Sequence, residues 1–182
     1  MMTIVKTTLV SAGLMATLAA SASTQQQQPN QQERQNINTV TTPTDAFLFS
    51  AEAVAATRAK LQSVAYANIT VIQRSDPATP SGIAYRMAVD RRRPPQRAAA
   101  HATEGELWVI IDGAGEITTG GKIVETKTGE TVNRSIAGGT VHKVKKGDFL
   151  VIPENVPHQV TAFTPELVMV TFEYPRGFGA SR

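Results

Sequence analysis

The sequence contains no cysteine, so the protein can form no disulfide and cannot carry the lipid-modified cysteine of a bacterial lipoprotein. Aromatic residues are also sparse, at 5% of the 182 residues with a single tryptophan. The mature protein must therefore be held together by burial of mainly aliphatic side chains. Its length suits one domain with a core of its own rather than two domains.

Strong net charge is lacking as well, because the formal charge is only +3. This balance argues against a nucleic-acid partner. The one dense basic cluster comprises Arg91, Arg92, Arg93 and Arg97, and it is interrupted by Pro94–Pro95 without interleaved aromatic residues. We interpret this cluster as a solvated loop, with a phosphate or acidic-substrate contact as the alternative.

The N-terminus has the pattern of an export signal. Lys6 precedes an apolar stretch, Thr7–Ala20, and Ala20-Ser21-Ala22 offers the small residues that signal peptidase requires. The stretch is too short to span a bilayer comfortably, and no later segment has the length or apolarity of a spanning helix. We therefore predict a signal peptide (1–22), a periplasmic or secreted mature protein and no stable membrane anchor after cleavage. Residues 23–44 are mostly Gln, Asn, Thr and Pro, which predicts a flexible linker.

The remaining chain divides into a helical and a β pattern. Apolar residues recur with helical spacing after a plausible cap at Thr44-Asp45, which predicts one N-terminal amphipathic helix (45–66) packed outside the following domain. From residue 67 to 182, short β runs separated by Gly and Pro turns indicate an all-β sandwich or barrel. The predicted runs are Ile69–Ile72, Ile83–Val89, Gln96–His101, Leu107–Ile111, Gly115–Thr119, Lys122–Glu125, Val141–Val144, Phe149–Ile152, His158–Phe163 and Leu167–Tyr174.

One of these regions combines an imidazole, a carboxylate and a turn glycine. Glu106 follows His101 by five residues and precedes Gly113 by seven. Alternation along a strand places Glu106, Trp108 and Ile110 on one face, so a carboxylate heads an otherwise apolar row. Such a carboxylate is costly to bury unless something compensates for it, and a divalent metal held with imidazoles would do so.

A second region has Gly147, Pro153 and His158 in a short β run with its flanking turns. The two regions resemble the paired motifs of the cupin superfamily, the small jelly-roll barrels. Asn155 stands where the second motif has an inner glycine, which is a mild change because Asn tolerates left-handed backbone. The resemblance implies an all-β fold, a single cupin jelly-roll barrel (67–182) with the N-terminal helix packed outside.

The resemblance also implies a metal site formed by His101, Glu106 and His158. Two imidazoles and one carboxylate leave coordination positions open and suit Fe(II), Mn(II) or Zn(II). Cupins commonly use one more histidine, which would fall at Ala99, so this site has three ligands and a vacancy. The alternative is that the three residues are remnants of the fold in an empty pocket.

Two classes of function are open at this point. The first is a metal-dependent enzyme of the cell envelope acting on a small molecule, either a dioxygenase-like oxidoreductase or a sugar-isomerase-type cupin. The second is a non-catalytic module that binds a small ligand. A homodimer is expected, because pairing protects open sheet edges. Outside the metal set, Trp108 is predicted to line the barrel and His142 to face solvent.

Overall fold

The computed structural model describes residues 42–61, 67–93 and 96–177. Most of the predicted barrel domain (67–182) lies inside these ranges. The predicted signal peptide (1–22) and nearly all of the predicted linker (23–44) lie outside them. Within the described ranges, no helix has both the length and the apolar character needed to cross a membrane.

Strands dominate this part of the chain, as the β-branched and alternating sequence predicts, and the predicted all-β fold is confirmed. A single helix precedes them. The elements are α1 (Ala51–Lys60), β1 (Ala67–Ser75), β2 (Ile83–Arg92), β3 (Glu104–Thr119), β4 (Lys122–Thr128), β5 (Thr131–Ala137), β6 (Thr140–Lys145), β7 (Phe149–Ile152) and β8 (His158–Pro175).

The strands pair antiparallel throughout. The main sheet has the order β1-β2-β8-β3-β6, β7 pairs with a different part of β3, and β4 and β5 form a separate hairpin. β3 and β8 are 16 and 18 residues long and pair along their length with three register shifts. Such shifts bend and twist paired strands, so β3 and β8 can curve with the barrel wall and run from one end of the barrel to the other.

Glycine at one bend explains why the sequence predicted β3 as two runs. Gly113 interrupts the hydrophobic alternation and has a φ of 79°. A Cβ at this position would collide with the carbonyl oxygen of Glu166 on β8. Gly113 therefore allows β3 to continue through the bend while its backbone lies against the neighbouring strand.

Alternation along the strands divides the apolar residues into two layers. One cluster fills the barrel interior, and the other lies on the opposite face of the sheet, where Leu61 at the end of α1 covers it. The inner cluster is Trp108, Ile110, Ile117, Val144, Ile152, Val160, Leu167 and Met169, and the outer cluster is Leu61, Ile69, Val71, Ile72, Val89 and Val168.

The helix is shorter than predicted. It begins at Ala51, because the Ser50 side chain accepts a hydrogen bond from the Ala53 amide and caps it, so the cap predicted at Thr44-Asp45 was wrong. Its half-buried residues recur on one side, but none of them is fully buried, and the main apolar contact comes from Leu61 directly after it. The last residues of the predicted helix, 62–66, lie outside the described ranges.

Two strand predictions also need correction. Residues 96–101, predicted as a strand, form a single bridge at which Ala99 pairs with His158. By contrast, β5 was not predicted at all, because Thr131–Ala137 contains four polar residues, and Arg134 interrupts the face that Val132 and Ile136 share. Its partner is β4 in the hairpin, so its pairing does not depend on packing against the barrel core.

Candidate metal centre

The three predicted ligands converge at one end of the barrel. Glu106 lies on β3, His158 is the first residue of β8, and His101 belongs to the segment that enters β3. The Nε2 atom of His101 lies 3.6 Å from Glu106 Oε1, and the Nε2 atom of His158 lies 3.5 Å from Glu106 Oε2. One donor atom from each residue fits within a span of 4.8 Å. This group can hold a metal ion.

The three side chains differ in how deeply they are buried. Glu106 and His158 are 7% and 5% exposed, whereas the His101 side chain retains 39% of its exposure. His101 therefore lies at the mouth of the pocket and the other two lie inside it. Trp108 lies two residues beyond Glu106 on the same inward face, as predicted, and its indole Nε1–H donates a 2.8 Å hydrogen bond to Glu106 Oε2.

The turn before β8 aligns His158 with the first motif. Asn155 adopts a φ of 63°, the left-handed conformation that Asn tolerates, and its amide donates to the carbonyl of His101. The His158 amide donates to the Ala99 carbonyl, and the Ala99 amide donates back. These backbone bonds bring the two motifs together, and they place Ala99, the position without an imidazole, in the pocket lining.

Burial sets the protonation of the two inner ligands. It lowers the pKa of His158 to about 4, against the opposing effect of the Val156 carbonyl, which the ring Nδ1 contacts at 3.1 Å. Burial, together with the nearby charge of Glu173, raises the pKa of Glu106 to about 7. At neutral pH the imidazole is therefore uncharged, and the carboxyl is close to its midpoint.

These features fit a cation. A carbonyl oxygen can only accept, so the His158 tautomer that satisfies Val156 carries its proton on Nδ1 and turns the lone pair of Nε2 toward Glu106. A lone pair facing a carboxylate oxygen is unfavourable unless a proton or a metal lies between them. Orientation of a metal-binding imidazole by a backbone carbonyl is also the usual outer-shell arrangement.

The similarity of the chain to known proteins is found among solved structures. No protein-family model and no curated protein matches the chain. Similar solved structures include KdgF from Halomonas sp. (15% identity, TM-score 0.43, covering 62% of this chain and 80% of KdgF) and the cupin domain of Cnp3 from Schizosaccharomyces pombe (10%, 0.44, 65% and 74%). The plu4264 protein from Photorhabdus luminescens is 18% identical with a TM-score of 0.37, and the match covers 50% of this chain and 62% of that protein's length.

These similarities concern the fold and assign no ligand or reaction. In the structure itself, the two motif segments meet across one antiparallel barrel in the arrangement that their resemblance implied. The chain has a cupin fold.

The pocket in front of these three residues contains charged residues that were not predicted from the sequence. β2 contributes Arg86, Asp90 and Arg92, and β8 contributes Glu173. Arg86 Nε donates to Glu173 Oε2 at 2.8 Å, and Arg92 pairs with Asp90 at 2.6 Å. Strand alternation could have indicated the pocket-facing residues of β2. Tyr85, Met87 and Val89 form the apolar face of this strand, so the residues between them lie on the opposite face.

The basic cluster is not the solvated loop that the sequence indicated. Arg91 is only 1% exposed and lies on the outer side of the sheet, where it donates to Glu166 and to the carbonyl of Leu61. Arg92 faces the pocket, and Arg93 is largely exposed. The prediction failed because consecutive charges on a strand point to alternate faces, whereas it treated them as one surface.

His142 also differs from its prediction. It is half-buried rather than fully solvent-facing, and its Nε2 lies 2.8 Å from the Thr119 hydroxyl. His142 is not part of the group of potential ligands. Its contact is local, with Thr119 on the neighbouring strand. The candidate centre therefore consists of the three predicted residues, with a cavity of about 150 Å³ in front of them.

Proposed function

We propose that this cupin binds one divalent transition metal, Fe, Mn or Zn, through His101, Glu106 and His158, and that it acts as a dioxygenase-like oxidoreductase on a small molecule. The observation that carries the proposal is the convergence of two imidazoles and one carboxylate on a cavity. Two histidines and one carboxylate on one side of a metal leave positions open for substrate and are characteristic of non-haem iron oxygenases.

The residues of the chain have distinct roles in this proposal. His101 and His158 supply neutral nitrogen donors, and Glu106 supplies the negative charge that partly neutralises the ion. The Val156 carbonyl orients the His158 ring, and the Trp108 indole orients one oxygen of Glu106. When bound, the metal would supply Lewis-acid polarisation and a site for oxygen.

The inner apolar cluster limits the access of water to this centre. Trp108, Ile110 and Ile152 are each at most 2% exposed and lie on the two strands that pair beside Glu106. A metal with open positions would therefore face the cavity on one side and packed side chains on the other. Such an enclosed site strengthens electrostatic interactions with a bound substrate.

Metal analysis of the purified mature protein tests the proposal directly. We expect about one transition-metal ion per chain, a higher melting temperature with metal than after chelation, and oxygen consumption that depends on added metal and on a small substrate. A protein that contains no transition metal and cannot acquire one would refute it. Metal binding without turnover would instead favour a ligand-binding module, and isomerisation without oxygen uptake would favour a sugar-isomerase-type enzyme.

We further propose that the mature protein acts in the cell envelope after removal of residues 1–22. The support is the sequence of the N-terminal segment, with its basic residue, apolar stretch and small-residue cleavage site. Mass spectrometry of the exported protein should give a mature N-terminus near Ser23. An intact Met1 on exported material would contradict the proposal.

The expected homodimer has one supporting feature in the structure. Phe149 and Val151 on the short strand β7 are 68% and 61% exposed and point to the outside of the barrel. Exposed apolar side chains on neighbouring positions of an edge strand favour association. Light scattering of the mature protein should give twice the chain mass, and Phe149→Asp should reduce it to the monomer mass.

A further inference from the structure

The cavity in front of the candidate centre is lined by equal numbers of guanidinium and carboxylate groups. Three guanidinium groups and three carboxylates line it: Arg86, Arg92, Arg97, Asp90, Glu106 and Glu173. Two ion pairs form within this lining, because Arg86 binds Glu173 and Arg92 binds Asp90. Glu106 and Arg97 are the charged residues of the lining that do not belong to these two pairs, and Glu106 would coordinate the proposed metal.

A bound divalent ion changes this balance. The lining is neutral on its own if its carboxyl groups are ionised, so the ion gives the loaded pocket an excess of about two positive charges. A positive excess in a confined and partly desolvated site favours an anionic ligand over a neutral one of equal size. The charge count depends on the proposed metal and therefore rests on the proposed function.

Arg92 is positioned beside the metal ligands by packing and by its ion pair. Its guanidinium carbon lies 5.7 Å from the centre of the Trp108 ring, and its side chain is 19% exposed. The same Trp108 ring lies 5.4 Å from the His158 ring and donates to Glu106. One aromatic side chain thus contacts the guanidinium and two of the proposed ligands, so core packing holds Arg92 beside the residues that would bind the metal.

Arg97 lies at the rim of the same cavity. It is exposed, and it forms no ion pair with any residue in the described part of the chain. Its segment is held against β8 because the Gln159 side chain donates to the Gln96 carbonyl and the Ala99 amide donates to His158. The rim cation is therefore attached to a fixed backbone beside the entrance.

The cavity also limits the size of what can enter. A cavity of about 150 Å³ is comparable to one that accommodates benzene, which corresponds to roughly six non-hydrogen atoms. Its lining is mostly polar, so polar groups of the ligand can find partners. A small acid suits this combination of volume and charge better than a sugar or a large aromatic molecule.

We propose that the substrate of this site is a small organic carboxylate, whose carboxylate group binds between Arg92 and Arg97 on one side and the metal ligands on the other. Guanidinium groups are well suited to this role because their donors match the two oxygens of a carboxylate. Arg86 stays with Glu173 and supports the wall of the pocket.

The test uses the cobalt(II)-loaded mature protein, with propionate as probe and propionamide as its uncharged counterpart of equal shape. Binding is followed by the cobalt absorption spectrum and by calorimetry. We expect propionate to bind about tenfold or more tightly than propionamide. Arg97→Gln and Arg92→Gln should each weaken propionate binding by a similar factor while cobalt content is retained.

Arg93→Gln is the matched control. Arg93 neighbours Arg92 but pairs with Glu166 outside the cavity, so its replacement should leave propionate binding unchanged. Arg97→Gln removes an exposed side chain and should fold normally even if Arg92→Gln, which leaves Asp90 without its ion pair, does not.

The possible failures are distinguishable. A protein that takes up no cobalt overturns the proposed function and, with it, the charge excess on which this inference rests. Cobalt binding with equal affinity for propionate and propionamide overturns the inference alone. Unchanged propionate affinity in a folded, cobalt-loaded Arg97→Gln protein also overturns it, since the anion would then bind without the rim cation.

Discussion

The two faces of the β1-β2-β8-β3 sheet differ in kind although they alternate along the same strands. Tyr85, Met87 and Val89 of β2 face the outer apolar cluster beneath Leu61. Arg86, Asp90 and Arg92 of the same strand face the pocket. Both faces of the sheet bury apolar side chains, but only the inner face also carries the charged residues of the pocket.

The energetic balance explains why both faces are needed. Buried charges in the pocket cost desolvation energy, and their internal ion pairs offset that cost without a large net gain. The outer cluster contains Val89 and Val168, which are fully buried, and complete burial of such a side chain stabilises a fold by about 1.5–3 kcal/mol. In a chain without disulfides, apolar burial in the inner and outer clusters together compensates for the charged residues of the pocket.

Substitution of His158 should produce the largest change, and it should change metal affinity rather than packing. Four-ligand zinc sites bind with about 10–16 kcal/mol, so one ligand accounts for roughly 3–4 kcal/mol, or a factor of several hundred in affinity. We expect His158→Ala to lose most of its metal on dialysis, measured by elemental analysis. His142→Ala, which removes the histidine outside the site, should keep it. Retention of metal by His158→Ala would show that the proposed ligand set is wrong.

Substitution of Leu61 tests the opposite face. Leu61 is 1% exposed at the end of α1 and packs in the outer cluster. Leu61→Ala should reduce the free energy of unfolding by about 3 kcal/mol, measured by urea denaturation, and should leave metal affinity unchanged. Leu48→Ala is the control because Leu48 is 85% exposed. If Leu61→Ala weakened metal binding in the folded protein, packing on the outer face would be energetically coupled to the pocket on the inner face.

The pH dependence of the metal-free protein probes the pocket face alone. The folded pKa of Glu106 is raised from 4.5 to about 7, so its contribution to stability is fully present below pH 4.5 and is lost as the pH rises through 7. The folded pKa of His158 is lowered from 6.5 to about 4, so its contribution is present above pH 6.5 and is lost as the pH falls through 4. Between pH 4.5 and 6.5 the two slopes oppose each other.

Glu106→Gln removes one of these slopes. The variant keeps an oxygen that can accept from Trp108 and carries no charge, so chelated Glu106→Gln should gain stability relative to the chelated parent between pH 5 and pH 8. We expect a gain of about 2–3 kcal/mol from the size of the shift, measured by urea denaturation at both pH values. A difference that is constant with pH would mean that Glu106 does not titrate in this range.

The sequence predicted the all-β fold because β-branched alternation and turn residues are local signals, and its motif spacing anticipated the meeting of His101, Glu106 and His158. It could not predict the limits of α1, since a nearby serine provided a better cap than Asp45. The arginine pairs of the pocket were missed for other reasons. Glu173, the partner of Arg86, lies 87 positions away, and only the register between β2 and β8 makes the two residues neighbours. Asp90, the partner of Arg92, lies two positions away on the same strand, and this pair was missed because the basic cluster was interpreted as one solvated loop.

The smallest effect is expected where α1 is attached to the barrel surface. Arg58 contacts Asp112, but both side chains are more than a third exposed, so water and salt screen the pair. Asp112→Asn should change the free energy of unfolding by less than about 1 kcal/mol. Glu166→Gln should cost more, because Glu166 also binds the buried Arg91 beneath the helix. A double-mutant cycle of Arg58→Met and Asp112→Asn measures the pair itself. If the coupling energy between Arg58 and Asp112 exceeded about 1 kcal/mol, the exposed ion pair would contribute substantially to holding α1 on the barrel, in addition to the apolar contact at Leu61.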